Sequence, residues 1–181
     1  GKTVVAIAAM YLNKLSGYQS ALMAPTEILA TQHFNNIKKM LGDSVKVELL
    51  IGSLTKKDKN DIYKRLENGE IDIIIGTHAL IQDNVNYFNL GLVVTDEQHR
   101  FGVNQRENLK NKGIMPDVLY MSATPIPRTF ALTIYGDMDI SIIKEMPKGR
   151  IPIKTYVKSS EEIKDVLSMM LAELEDKHQI Y

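Results

Sequence analysis

Short, continuously apolar runs alternate along this chain with longer segments of helical periodicity, and this alternation restricts its possible folds more than any other feature. The runs predicted to be strands are residues 20–26, 45–52, 71–77, 91–96, 117–124 and 151–157. Strands that are apolar throughout are typical of a parallel sheet covered on both faces, because helices then shield both sets of side chains from water. The pattern therefore predicts a three-layer α/β domain with a mostly parallel sheet.

The segments between these runs have the spacing of helices that pack on such a sheet. They are residues 4–12, 27–41, 55–69, 104–113, 128–136 and 160–178. The first is apolar nearly all round, which predicts a helix that is buried on every side. Thr55 is a candidate N-cap, and Gly42 and Gly69 are candidate helix stops.

Charge and cysteine content exclude several classes of protein. Lys plus Arg and Asp plus Glu number 22 each, so no overall positive field draws the chain to nucleic acid, and any DNA contact must be local. The absence of cysteine excludes disulfides and thiolate metal sites and is compatible with a reducing cytosol. No apolar stretch approaches the roughly 18 residues needed to span a membrane.

Polar residues of distinctive type follow several of the predicted strands. They are Thr26, Thr77, the pair Asp96-Glu97, and the triplet Ser122-Ala123-Thr124. In open parallel sheets, ligands bind in the crevice beyond the carboxyl ends of the strands. The sequence therefore predicts a functional site at this edge of the sheet.

The opening tripeptide, Gly1-Lys2-Thr3, precedes a helix and matches the end of a phosphate-binding P-loop. In such a loop, backbone N–H groups and the positive end of the helix hold phosphates. Lys2 is expected to contact the β- and γ-phosphates of ATP, and the Thr3 hydroxyl to coordinate Mg²⁺. A tripeptide alone also occurs by chance, so this assignment depends on a matching pair of acids elsewhere.

Asp96 and Glu97 supply that pair at the end of an apolar run. Asp96 is suited to hold a water of Mg²⁺, and Glu97 to orient and deprotonate the water that attacks the γ-phosphate. A solvent-exposed turn at the end of a strand would also place acids here. The catalytic interpretation requires Lys2 and the two acids, distant in sequence, to converge around one nucleotide.

Five stretches resemble the ordered motifs of superfamily 2 helicases and translocases. They are GKT (1–3), APTEILATQH (24–33), IIIGTHALIQ (73–82), DEQH (96–99) and SATPIPRT (122–129). The longer segments DEQHRFGVNQR and SATPIPRTFALTIYGDMDISII resemble the RecG family of bacterial branched-DNA helicases. The transcription-repair coupling translocases share similar segments but typically have DEEQRFG at the acids, and the primosomal helicases lack RFGV there.

The resemblance implies a RecA-like P-loop NTPase domain and assigns roles beyond the acids. Gln98 and His99 resemble positions that sense the γ-phosphate, and Ser122 and Thr124 resemble the hydroxyls that receive this signal. The positions that match DNA-backbone contacts are Pro25, Thr26, Gly76, Thr77 and His78, with Gly52 and Ser53 where relatives often have Thr-Gly-Ser. Arg128 is suited to contact either phosphate or the partner domain.

The resemblance also predicts the domain organisation and the partners. Residues 1–146 are expected to form a first RecA-like domain without its N-terminal strand and most of the P-loop, residues 147–150 a linker, and residues 151–181 the truncated start of a second RecA-like domain. The full protein is expected to use ATP and Mg²⁺ to remodel stalled forks and Holliday junctions, gripping DNA by its phosphates beside an N-terminal wedge domain. These 181 residues alone are expected to hydrolyse ATP negligibly. A non-catalytic nucleotide-binding module is the other class that the residues leave open.

Overall fold

The computed structural model describes residues 1–97, 101, 108–123, 139–143 and 153–180. The chain divides into two compact units, Gly1–Ile143 and Lys144–Tyr181. Within the described residues, no helix has both the length and the apolar character needed to cross a membrane.

A five-stranded sheet forms the centre of the first unit. Its strands are β1 Gln19–Met23, β2 Val47–Leu50, β3 Ile73–Gly76, β4 Leu90–Thr95 and β5 Asp117–Tyr120. All neighbours pair in parallel in the order β2-β3-β1-β4-β5, which confirms the predicted parallel sheet. Each strand corresponds to an apolar run recognised in the sequence, and β1 is paired on both sides.

Within the described residues, three helices cover this sheet: α1 Lys2–Leu15, α2 Glu27–Leu41 and α3 Lys56–Glu67. Local signals define their ends. The Thr55 side chain accepts a hydrogen bond from the Asp58 N–H at 3.2 Å, which caps α3, and Gly42 follows α2 with a φ of 60° that favours glycine. Of the predicted helix over 104–113, residues 108–110 are helical and 104–107 lie outside the described residues.

Two apolar layers lie on opposite faces of the sheet. On one face, Ala6, Ile7 and Met10 of α1 and Ala30 and Ile37 of α2 pack against alternate strand residues. On the other face, Ile62 and Leu66 of α3 pack against the remaining strand residues. α1 lies over β1 and β4, whereas α2 lies over β2 and β3. The three-layer prediction is confirmed.

The prediction that the first helix is buried all round is wrong. Val5 is 54% exposed and Leu12 is 63% exposed, although Ala6, Ile7 and Met10 are buried. A helix that rests on a flat sheet buries only the stripe that faces it, so the opposite apolar face of α1 stays accessible to solvent.

A buried glutamine joins three elements at the amino edge of the sheet. The Gln19 side-chain nitrogen donates to the carbonyl oxygens of Leu66 at 3.0 Å and Ile71 at 2.8 Å. Its side-chain oxygen accepts from the N–H groups of Phe88 at 2.8 Å and Asn89 at 3.1 Å. One side chain therefore satisfies four backbone groups at the end of α3 and before β3 and β4.

The second unit is described over residues 153–180. Residues 153–159 have no regular structure, so the predicted strand at 151–157 is not found in its described part. A strand needs a partner to pair its backbone groups, and the described residues of this unit contain no other strand. A 3₁₀ turn, Ser160–Glu162, leads into α4, Ile163–Glu175, where the sequence predicted a helix. No residue of α4 is buried, and its apolar side chains include Leu167 and Leu171 in exposed positions.

Candidate active site

The two acids follow β4 at the carboxyl edge of the sheet, as the sequence predicted. β4 ends at Thr95, and the Asp96 N–H donates to the Met23 carbonyl of neighbouring β1 at 3.0 Å. The backbone of Asp96 is therefore held by a hydrogen bond to the neighbouring strand and not by a loop. This connection fixes the backbone of the carboxylate that is expected to serve the metal.

Lys2 and Glu97 converge at this edge. The Lys2 Nζ lies 4.0 Å from the Glu97 Oε1, and both side chains are partly exposed. Lys2 and Thr3 belong to the first turn of α1, which contains no acidic residue. The unpaired N–H groups of a helix start favour anions. The arrangement thus places a lysine, a helix N-terminus and two carboxylates around one small region.

The backbone at Glu97 is unusual. Its φ is 49°, in the left-handed region that residues with a side chain seldom adopt. The Glu97 N–H donates to the Asp96 Oδ1 at 3.0 Å. Backbone strain of this kind clusters at functional sites, where the surrounding structure holds a side chain in a required direction.

Asp96 is held in its charged form. Burial, the largest influence, raises its pKa, but the hydrogen bond and charge of His33, the Glu97 N–H and the charge of Lys2 outweigh it, so the pKa of Asp96 lies below its usual value. The His33 Nε2 lies 2.8 Å from the Asp96 Oδ2. An ionised Asp96 at neutral pH is the form that a metal ion or its bound water requires.

The residues at this edge fit Mg²⁺ bound together with a nucleotide. No group of three or more His, Cys, Asp or Glu side chains in the described part of the chain forms a metal cage. Mg²⁺ does not need one, because it keeps several waters and is usually held by one or two carboxylates and the substrate phosphates. The ionised Asp96 and the Thr3 hydroxyl supply oxygen donors of this kind.

The residues assigned to coupling are only partly described. Ser122 follows Met121, whose N–H donates to the Thr95 carbonyl at 2.8 Å, so Ser122 lies at the same edge as the two acids. Gln98, His99, Thr124 and Arg128 lie outside the described residues.

The residues assigned to DNA contacts differ in accessibility. Thr26 is exposed and caps α2, where its side chain accepts from the Leu29 N–H at 3.3 Å; Pro25 is half-buried beside it. Of the second group, His78 is exposed, but Gly76 and Thr77 are buried and present no surface to a phosphate in this structure. Gly76 has a packing role instead, because an added Cβ would lie 2.2 Å from the Leu50 carbonyl oxygen.

Gly52 and Ser53 are both exposed, but Ser53 is already engaged by a carboxylate. Its N–H donates to the Glu27 Oε1 at 3.1 Å, and its hydroxyl donates to the Glu27 Oε2 at 2.7 Å. The side-chain hydrogen bond from Ser53 is the main reason that the pKa of Glu27 is lowered. The Ser53 N–H and hydroxyl, which are expected to bind a DNA phosphate, are therefore already bound to the Glu27 carboxylate of the same chain.

No role was predicted from the sequence for His33, which contacts Asp96. The available signal was its position: with Ala30 and Ile37 it forms the buried stripe of α2, where a histidine needs a hydrogen-bonding partner. The partner lies 63 residues further along the chain, so spacing alone did not reveal it.

A parallel sheet covered by helices, with a helix-start lysine opposite paired carboxylates at the carboxyl edge, defines a RecA-like α/β domain. The DEAD/DEAH box helicase family model matches residues 1–132, and the chain belongs to this family. Within it, the chain is similar to the ATP-dependent DNA helicase RecG of Staphylococcus aureus, with 56% identity over all 181 residues. The chain spans 26% of the length of that relative.

Solved structures agree with this assignment. A structure of RecG bound to a three-way DNA junction is 46% identical, covers 97% of this chain and has a TM-score of 0.82; the chain corresponds to 24% of it. The helicase Lhr of Mycobacterium smegmatis, bound to ssDNA and AMP-PNP, is 14% identical to this chain and has a TM-score of 0.54. The match covers 65% of this chain and 16% of the Lhr chain, and at this identity it shows the fold alone. The transcription-repair coupling translocase and the non-catalytic module are not favoured.

Proposed function

We propose that this chain is part of the motor of an ATP-dependent DNA helicase that remodels branched DNA, such as stalled forks and Holliday junctions. The observation that supports it most directly is the 4.0 Å approach of Lys2 to Glu97, beside an ionised Asp96. A nucleoside triphosphatase needs a phosphate-binding lysine, a carboxylate for Mg²⁺ and a general base close together. The similarity to RecG over the whole chain supports DNA as the substrate.

Each residue of the site has a distinct task in this proposal. Lys2, with the Gly1 backbone and the α1 N-terminus, binds the β- and γ-phosphates, while Thr3 and Asp96 hold Mg²⁺ directly or through water. When bound, Mg²⁺ supplies charge neutralisation on the phosphates. Glu97 accepts the proton of the attacking water. Because Lys2 pairs with Glu97 in this structure, phosphate binding to Lys2 frees Glu97 for that task.

Coupling to DNA is assigned to residues at the same edge. Gln98 and His99 report the nucleotide state to Ser122 and Thr124, and Pro25, Thr26 and His78 contact DNA phosphates, which fix position without reading sequence. Arg128 contacts phosphate or the partner domain. If nucleotide binding changes the affinity for DNA, DNA binding must change the affinity for the nucleotide by the same factor.

The proposed partners within the intact protein are a second RecA-like domain and an N-terminal wedge domain. We assign residues 151–181 to the start of the second domain. The exposed apolar side chains of α4 support this assignment, since an amphipathic helix is stable when its apolar face packs on further structure. A bacterial cytoplasmic location follows from the proposed chromosomal substrate.

ATP hydrolysis by the full-length protein on forked, duplex and single-stranded DNA tests the proposal. We expect strong stimulation by forked DNA, weaker stimulation by the other two, and a steep loss of DNA binding as salt rises, because phosphate contacts release counterions. The Lys2→Ala variant is the matched control and should remain unstimulated on every DNA. Equal rates with and without DNA in the wild-type protein would contradict the proposal.

Removing the charge of Glu27 should strengthen DNA binding. Glu27 places a carboxylate on the Ser53 N–H and hydroxyl, so a DNA phosphate there meets like charge. We expect Glu27→Gln to tighten binding of the full-length protein to forked DNA about two- to fivefold at low salt, with less gain at high salt. Fluorescence anisotropy across a salt series measures this effect.

Glu70→Gln is the matched control for this change. Glu70 is equally a glutamate, but it is exposed before β3, at the opposite edge of the sheet. Its substitution should leave the affinity for forked DNA within error of the wild-type value. If Glu27→Gln binds DNA no better than Glu70→Gln does, Ser53 is not a phosphate contact.

A further inference from the structure

His33 is a buried polar residue on an otherwise apolar stripe. It is 7% exposed and lies between Ala30 and Ile37 on the face of α2 that packs on the sheet. Its Nε2 is 2.8 Å from the Asp96 Oδ2. A histidine at this depth costs folding free energy unless its ring nitrogens are hydrogen-bonded, so the contact with Asp96 is a strong local determinant of ring orientation.

The Asp96 contact determines which ring nitrogen carries the proton. An ionised carboxylate only accepts hydrogen bonds, so the His33 Nε2 must donate. In the neutral ring Nδ1 then carries a lone pair and needs a donor. The His33 Nδ1 is buried and has no hydrogen-bond partner among the described residues. The ring is therefore satisfied on the Asp96 side and unsatisfied on the other.

We propose that His33 is a positioning residue for the catalytic carboxylate: its Nε2 donates to Asp96 and holds that carboxylate in place. This inference rests on the proposed function, because it assigns to His33 the task of orienting the Asp96 carboxylate for Mg²⁺. Partners of this kind orient metal-binding groups, and their loss typically weakens metal affinity about 10- to 100-fold.

Binding of a fluorescent ATP analogue to the full-length protein, with Mg²⁺ and with EDTA, tests this role without requiring turnover. We expect His33→Leu to weaken binding in Mg²⁺ about 10-fold or more and to leave binding in EDTA unchanged. His33→Gln carries an amide nitrogen near the place of Nε2 and should stay within about threefold of wild type, whereas His33→Asn reaches only the place of Nδ1 and should resemble His33→Leu.

The outcomes separate this inference from the proposed function. Equal losses in Mg²⁺ and in EDTA, or equal losses for His33→Leu and His33→Gln, would overturn the positioning role while leaving DNA-stimulated hydrolysis by wild type intact. Wild-type protein that binds the nucleotide equally well with and without Mg²⁺ would overturn both proposals.

Discussion

Glu97→Gln in the full-length protein should nearly abolish DNA-stimulated ATP hydrolysis, lowering the rate about 10²–10⁴-fold, the range typical for loss of a general base. The amide is almost the same size as the carboxylate but cannot take a proton from water. ATP binding should be retained or slightly tightened, because Lys2 lies 4.0 Å from the Glu97 carboxylate and is released for phosphate by the substitution. Steady-state hydrolysis and equilibrium binding of a fluorescent nucleotide measure the two effects separately.

Glu67→Gln is the matched control, since Glu67 is an exposed glutamate at the end of α3. It should hydrolyse ATP at the wild-type rate. A Glu97→Gln protein that retained more than about a tenth of the wild-type rate would show that another group accepts the proton. Loss of nucleotide binding together with hydrolysis would instead point to a damaged binding site.

Gln19→Leu should destabilise the chain by about 3 kcal/mol or more, the largest stability effect that we expect for a single substitution here. Leucine is of similar size but leaves the carbonyls of Leu66 and Ile71 and the N–H groups of Phe88 and Asn89 without their partner. Each unsatisfied buried group costs about 1–3 kcal/mol, partly offset by water that reaches the site and by the apolar side chain. Urea unfolding followed by circular dichroism measures the change.

Gln32→Leu makes the same substitution at an exposed position of α2 and should change the free energy of unfolding by no more than about 0.5 kcal/mol. Gln19→Glu adds a test by pH. A buried carboxylate cannot donate to the two carbonyls, so its pKa is raised in the folded state. The free-energy cost of burying the charged carboxylate is therefore absent at pH values below its pKa in the unfolded chain and complete above its pKa in the folded chain. The free energy of unfolding should accordingly fall as pH rises. Equal stability of the Gln19→Leu and Gln32→Leu chains would disprove the structural role.

The fold was predictable because its signals are local. Thr26 and Gly42 bracket α2, and the helix has the bounds 27–41 predicted from the sequence. Four of the five strands contain β-branched residues, and β1, Gln19–Met23, was recognised from its short apolar run alone. The exposed face of α1 was not predictable, because the same apolar residues are equally compatible with burial on one side or on all sides.

The position of the site's charged groups was predictable from the sequence, but their supporting contacts were not. The convergence of Lys2 with Glu97 follows from the rule that strand ends of a parallel sheet meet at one edge. The bonds of His33 to Asp96 and of Glu27 to Ser53 join residues 63 and 26 positions apart and are set by helix packing, which no spacing rule contains. The roles of Gln98, His99, Thr124 and Arg128 stay predictions.

The left-handed backbone at Glu97 implies a cost in thermal stability at this position. A glycine would adopt the φ of 49° without strain, and strain at one residue is commonly worth about 1–3 kcal/mol. An inactive Glu97→Gly protein should accordingly melt at a higher temperature than the active one, if the relieved strain exceeds the added freedom of the unfolded glycine. Under the proposed function, selection for heat tolerance alone would favour loss of this acid, whereas selection for ATP turnover would retain it.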